Sequence, residues 1–158
     1  MISIFISSLK PIPIETEPIP IMERGTVNRP FYTGIAGIDL VYPIGHGQRQ
    51  LIIGDKKSGK TQIALDTIVN QKDKNVLCIY VAVNKTKKNI KELYDSLMKK
   101  GAMEYTVIIA SFSEDEPPVA YFTPYMAVSV AELYMREGQD VLVVIDDLKS
   151  HANIHREI

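Results

Sequence analysis

A single cysteine, Cys78, stands in this chain of 158 residues. A disulfide framework is therefore excluded. The thiol lies inside the apolar run VLCIYVAV and reads as a buried structural group, which fits a reducing, cytoplasmic setting. Excess charge of either sign is also missing. The formal net charge is −1 at pH 7, so nothing draws the chain as a whole to nucleic acid or to an anionic membrane surface. Long apolar runs are absent too, since none approaches the roughly 18 residues of a membrane span. The opening MISIFISSLK lacks a basic residue ahead of its apolar stretch, and no small-residue cleavage site follows, so it does not read as a signal peptide. Ile2, Ile4 and Ile6 alternate with Ser3, Phe5 and Ser7, and this period of two predicts a strand.

The length corresponds to one domain able to bury roughly two-thirds of its unfolded surface. Within PIPIETEPIPIM, Pro11, Pro13, Pro18 and Pro20 forbid regular structure. Residues 1–23 are expected to form a strand and a Pro-rich linker that leads into a domain over residues 24–158.

The segment GDKKSGKT, residues 54–61, fits the phosphate-binding pattern G-x-x-x-x-G-K-[ST]. Gly54 and Gly59 let the backbone turn tightly and bring its N–H groups to phosphate oxygens. Lys60 can reach the β- and γ-phosphates, and Thr61 can offer its hydroxyl to Mg²⁺. Ahead of the loop, Gln50 to Ile53 is expected to be a short buried strand. Behind it, Ile63, Ala64, Leu65, Ile68 and Val69 fall at helical spacing up to about Gln71. A helix starting at the loop adds the positive end of its dipole. Gly54, Asp55, Lys56, Lys57, Ser58, Gly59, Lys60, Thr61 and Gln62 are accordingly the candidate nucleotide-binding residues.

Strands and helices then alternate, which predicts an α/β fold with a parallel sheet covered on both faces. Strands are expected at 76–83, 105–112 and 141–145, the last as an inner strand. A helix over 87–100 should be capped by Thr86, bury Ile90, Leu93, Leu97 and Met98, and end at Gly101. A second should open at Pro117, break or kink at Pro124, and stop at Gly138. The strand VLVVI ends in Asp146, which becomes the candidate Mg²⁺ acid beside Thr61. Asp147 reads as a helix cap or a hydrogen-bonding partner. Lys85, Lys87, Lys88 and Lys91 read as a solvated basic face. His151 and His155 lack a third ligand and read as surface residues rather than a metal site.

Residues 24–71 and VLVVIDDLKSHA at 141–152 closely resemble the alpha subunit of rotary F-type ATP synthase. The paired segments TGIAGID and PIGHGQR carry more of this resemblance than the loop, and the loop's Gly-Asp opening also looks alpha-like. The resemblance implies a RecA-like core that binds ATP with Mg²⁺ but does not turn it over, with no catalytic residue in this chain. It implies ATP or ADP as ligand, beta-like catalytic subunits and a central stalk as partners in a hexameric ring, and contact with a membrane only through that complex, at the inner face of the cell membrane. Catalytic relatives place a water-orienting glutamate just after the second strand. Lys85 falls at that position, where alpha subunits have glutamine. A cation cannot take a proton from water, and loss of such a group costs roughly 10²–10⁴ in rate.

The resemblance reaches only part of the family's nucleotide domain. In RecA-like cores, the strand between the phosphate-loop strand and the Asp146 strand comes later in sequence. A gapped sheet with unpaired inner edges is therefore expected, and with it a fragment, a split-gene product or a degenerate copy. Two other readings stay open. One is a stand-alone RecA-like ATPase of the helicase or terminator type, with Glu92 or Asp147 as the acid. The other is a remnant without nucleotide affinity.

Overall fold

The computed structural model describes residues 12–14, 17 and 19–158. The strand expected over Ile2 to Ser7 lies outside them. A short antiparallel pair, β1 (Pro30–Phe31) and β2 (Ile44–Gly45), brackets helix α1 (Ala36–Val41). Helix α2 (Lys60–Val69) follows the glycine loop. Then come β3 (Val76–Lys85), α3 (Lys87–Lys99), β4 (Thr106–Phe112), α4 (Pro117–Arg136), β5 (Asp140–Asp146) and α5 (Leu148–His155). The main sheet is parallel, in the order β4-β3-β5.

Strand β3 is central, and Cys78 to Val83 are all buried. Alternation along it divides the core. Cys78, Tyr80 and Ala82 pack with Leu65 and Ile68 of α2 and Leu93 and Leu97 of α3. Ile79, Val81 and Val83 pack with Ala120, Ala127 and Ala131 of α4 and Ile154 of α5. A continuous apolar run with helices on both faces is what a parallel sheet requires.

Several expectations shift. Strand β5 is half-buried throughout and lies at the sheet edge among the described residues, so it is not an inner strand there. Gln50 to Ile53 forms no strand, and Leu51 and Ile53 are 61% and 84% exposed. No strand pairs with this segment among the described residues, so its apolar side chains have no sheet face to enter. Helix α4 runs unbroken through Pro124. The proline removes one backbone hydrogen bond, but it is buried on the sheet side with Ala120 and Ala127, and Thr123 Oγ1 donates to Val119 O at 2.7 Å. Burial of this stretch against the sheet holds the helix in one piece. In α3, Thr86 caps as expected, accepting from Asn89 N at 3.3 Å. Gly101 ends that helix at φ +70°, in the left-handed region. Met98, however, is 51% exposed, because Leu97, one residue earlier, already fills the buried stripe.

Candidate nucleotide-binding site

Asp39 closes the segment TGIAGID around its own start. Its Oδ1 accepts from Thr33 N at 2.9 Å and Thr33 Oγ1 at 2.7 Å, and its Oδ2 from Gly34 N at 2.9 Å. Burial works against its charge, but these bonds and the nearby Lys74 outweigh it and hold the carboxyl below its usual range. Asn70 and Gln71, just beyond α2, donate to Thr33 O and Tyr32 O, each at 2.9 Å. The upstream segment is thus pinned to the end of the helix whose start carries the glycine loop.

The loop itself is exposed. Gly59 has φ +92°, in the left-handed region that favours glycine, and a Cβ on Gly54 would meet the Ser58 hydroxyl at 2.7 Å, which would have to turn aside. Lys57 also has a positive φ, of 63°. Helix α2 starts at Lys60, and Ile63 N donates to Gly59 O at 3.0 Å. The Lys60 ammonium bridges the loop, donating to Gly54 O at 2.7 Å and also to Asp55 O. A phosphate oxygen is a stronger partner for an ammonium than these neutral carbonyls. Lys56 lies exposed at the loop tip, and Gln62 turns along the helix to Asp66, with Nε2 to Oδ1 at 2.7 Å.

Asp146 meets the loop from the end of β5. Thr61 Oγ1 donates to its Oδ2 at 3.1 Å, across 85 residues of sequence. The same oxygen accepts from Tyr80 OH at 2.6 Å. Lys85 Nζ lies 2.9 Å from Asp146 Oδ1 and 3.0 Å from Asp147 Oδ2. Burial opposes the charge on Lys85, but the hydrogen bonds to both aspartates prevail and raise its pKa. Desolvation and the charge of Asp146 raise that of Tyr80, which stays protonated as a donor. Asp147 also caps α5, accepting from Ser150 N at 2.6 Å. Burial works against its charge as well, but the Ser150 bonds and Lys85 hold its carboxyl low.

Lys85 is therefore no member of a solvated face, and the reason is local. Odd-numbered β3 residues face α4 and α5, so strict alternation would send Lys85 there, away from Asp146. Asn84 has φ +54°, and the pairing with β4 slips between Ala82 and Lys85. Such a bulge re-aims the following side chain, and Lys85 swings to the face of Tyr80 and Asp146. Asn is among the few residues that tolerate this φ. Tyr80 was also missed. The signal was present in its parity with Cys78 and Ala82, the side on which α2 packs.

Thr61, Tyr80, Lys85, Asn89, Glu92 and Asp146 line a cleft of about 310 Å³ at the carboxyl ends of β3 and β5, where open parallel sheets take ligands. A larger cleft of about 530 Å³ lies at the amino ends, between Asn75, Tyr105 and Gln139. Neither the loop nor Asp146 reaches it. His151 stacks on Tyr121 with centroids 5.6 Å apart. No cluster of metal-ligating side chains occurs among the described residues, and none of their helices is long and apolar enough to cross a membrane. Hard oxygens on Thr61 and Asp146 are the type magnesium takes. On Asp146, though, such an ion would meet a carboxylate that already has three donors, one of them a cation.

The ATP synthase alpha/beta family, nucleotide-binding domain, matches residues 34–158. The chain is 47% identical over 147 residues to ATP synthase subunit alpha 1 of Marinomonas sp. (strain MWYL1), covering 93% of this chain and 29% of that protein. It is 46% identical over 153 residues to ATP synthase subunit alpha of Mesoplasma florum, covering 97% of this chain and again 29% of the relative. A similar match, 46% over 144 residues, joins it to ATP synthase subunit alpha of Clostridium botulinum (strain Eklund 17B / Type B). The parallel α/β core, the glycine loop and these matches agree that the chain belongs to the ATP synthase alpha/beta family and is an alpha-like member of it.

Proposed function

We propose that this chain is the nucleotide-binding part of an alpha-like subunit of a rotary F-type ATP synthase, and that it binds ATP or ADP at Gly54 to Gln62 without hydrolysing it. The observation that carries this reading is the convergence of Thr61 and Lys85 on Asp146 at the foot of the loop. The pairing of Thr61 with Asp146 supports a phosphate site, and Lys85 stands where a water-activating acid would be needed. Magnesium arriving with the nucleotide would meet Thr61 and a carboxylate that Lys85 has neutralised. Residues 24–158 form the nucleotide unit on this reading, with residues 1–23 a strand and linker. Beta-like catalytic subunits and a central stalk are its partners, and its place is the cytoplasmic side of a membrane, reached through the complex.

The chain covers 29% of the length of the Marinomonas relative, so this assignment is to be tested on the chain itself. In a calorimetric titration with ATP and magnesium, binding is expected to be saturable, and Lys60→Ala should weaken it by at least about tenfold. No phosphate release above the buffer rate is expected. Turnover lost in both Lys60→Ala and Glu92→Gln would instead support a stand-alone ATPase, since Glu92 lines the cleft.

A further inference from the structure

Resting on that nucleotide reading, we propose that Lys85 is a tethered cation which replaces magnesium at this site, so that the chain binds nucleoside triphosphate without a divalent ion. In phosphate-loop proteins the metal offsets the charge of the β- and γ-phosphates and is anchored between the loop hydroxyl and a strand-end acid. Here an ammonium stands against that acid. Its Nζ lies 2.9 Å from Asp146 and 3.0 Å from Asp147. The other oxygen of Asp146 holds the Thr61 hydroxyl at 3.1 Å, so the ammonium is one carboxylate away from the loop.

Three features fix it there. The left-handed Asn84 and the slipped register aim Lys85 at Asp146. The pair is largely enclosed, with side chains 22% and 19% exposed. Tyr80 holds the second carboxylate oxygen from below at 2.6 Å, which sets the plane in which Lys85 is met. A carboxylate offers about four acceptor sites, and three are engaged. A magnesium ion bound to Asp146 would place two positive charges beside the ammonium and repel it. A lysine has three N–H donors. Two go to the aspartates, and the third is available for a phosphate oxygen entering the cleft.

The test compares ATP affinity in excess magnesium and in EDTA, by displacement of a fluorescent nucleotide from the full chain, with circular dichroism to verify folding. The unaltered protein is expected to change affinity by less than about threefold between the two buffers. Lys85→Gln should lose at least about tenfold in EDTA and recover in magnesium, while Lys85→Arg keeps binding in EDTA. A tenfold or greater loss by the unaltered protein in EDTA, in about the same range as a metal-dependent site, overturns the proposal and needs no variant to fold. If that metal-dependent binding disappears in Lys60→Ala, the nucleotide site stands and only the tethered cation falls. Absence of binding in both buffers overturns the nucleotide reading and the proposal with it.

Discussion

Asp39 shows how one carboxylate organises an approach to the site. Its lowered pKa gives a sign that can be worked out. A carboxyl held below its unfolded value of about 3.9 adds stability above that pH, and the addition is lost as pH falls through the folded value. Asp39→Asn keeps one acceptor oxygen but cannot accept from Gly34 N. Thermal unfolding should show the variant less stable by about 1 kcal/mol at neutral pH, the hydrogen bonds being partly exposed. The gap between the two proteins should close below about pH 4. A gap unchanged at acid pH would mean that Asp39 acts by shape rather than charge. Cys78 is the contrasting residue. Burial alone pushes its thiol up to about 12, so it belongs to the core as its apolar surroundings imply.

Among the elements, α3 separates local from tertiary stabilisation most cleanly. Thr86 supplies a side-chain cap, and its loss in Thr86→Ala is expected to cost about 1 kcal/mol. Leu97 is fully buried against β3, and Leu97→Ala should cost about 2–5 kcal/mol through lost transfer energy and the cavity left behind. Denaturant melts of the two variants should rank in that order. A cap variant as damaging as the core variant would show that packing of α3 contributes less than its burial implies. Both positions were readable from spacing, because a helix repeats every 3.6 residues whatever lies next to it. Exposure of Met98 was not, since two adjacent apolar residues compete for one stripe and the sheet decides which enters it. Continuity of α4 through Pro124 belongs to the same class: the backbone penalty is local, and the compensation comes from the face packed on β3 and β4.

At the scale of the whole molecule, the core of the described residues is centred on one strand, with two helices on each face of it. Amide exchange should therefore be slowest in β3, from Cys78 to Ala82, whose backbone is paired on both sides. The outer side of β5 has no partner among the described residues, and residues 50–59 are exposed. Exchange mass spectrometry should find the loop region fastest and β5 intermediate. Equal protection of residues 50–53 and β3 would mean that the loop strand joins a sheet after all. Nucleotide addition should slow exchange around Gly59 to Thr61, since loop amides would then bond to phosphate.

The glycine loop, the alternation of strands and helices, the caps at Thr86 and Asp147 and the candidate acid Asp146 were all determined by the sequence alone. Each depends on neighbours within a few residues: a spacing, a period, a turn residue or a hydrogen bond to the next turn. The tertiary structure decided which of the charged groups meet. Lys85 and Asp146 are 61 residues apart, and the lysine reaches the aspartate only because β3 and β5 are neighbours and a bulge at Asn84 reverses one side chain. Gln50 to Ile53 shows the other limit. Its apolar composition suits a buried strand, but a strand needs a paired neighbour, and that is a property of the assembled sheet.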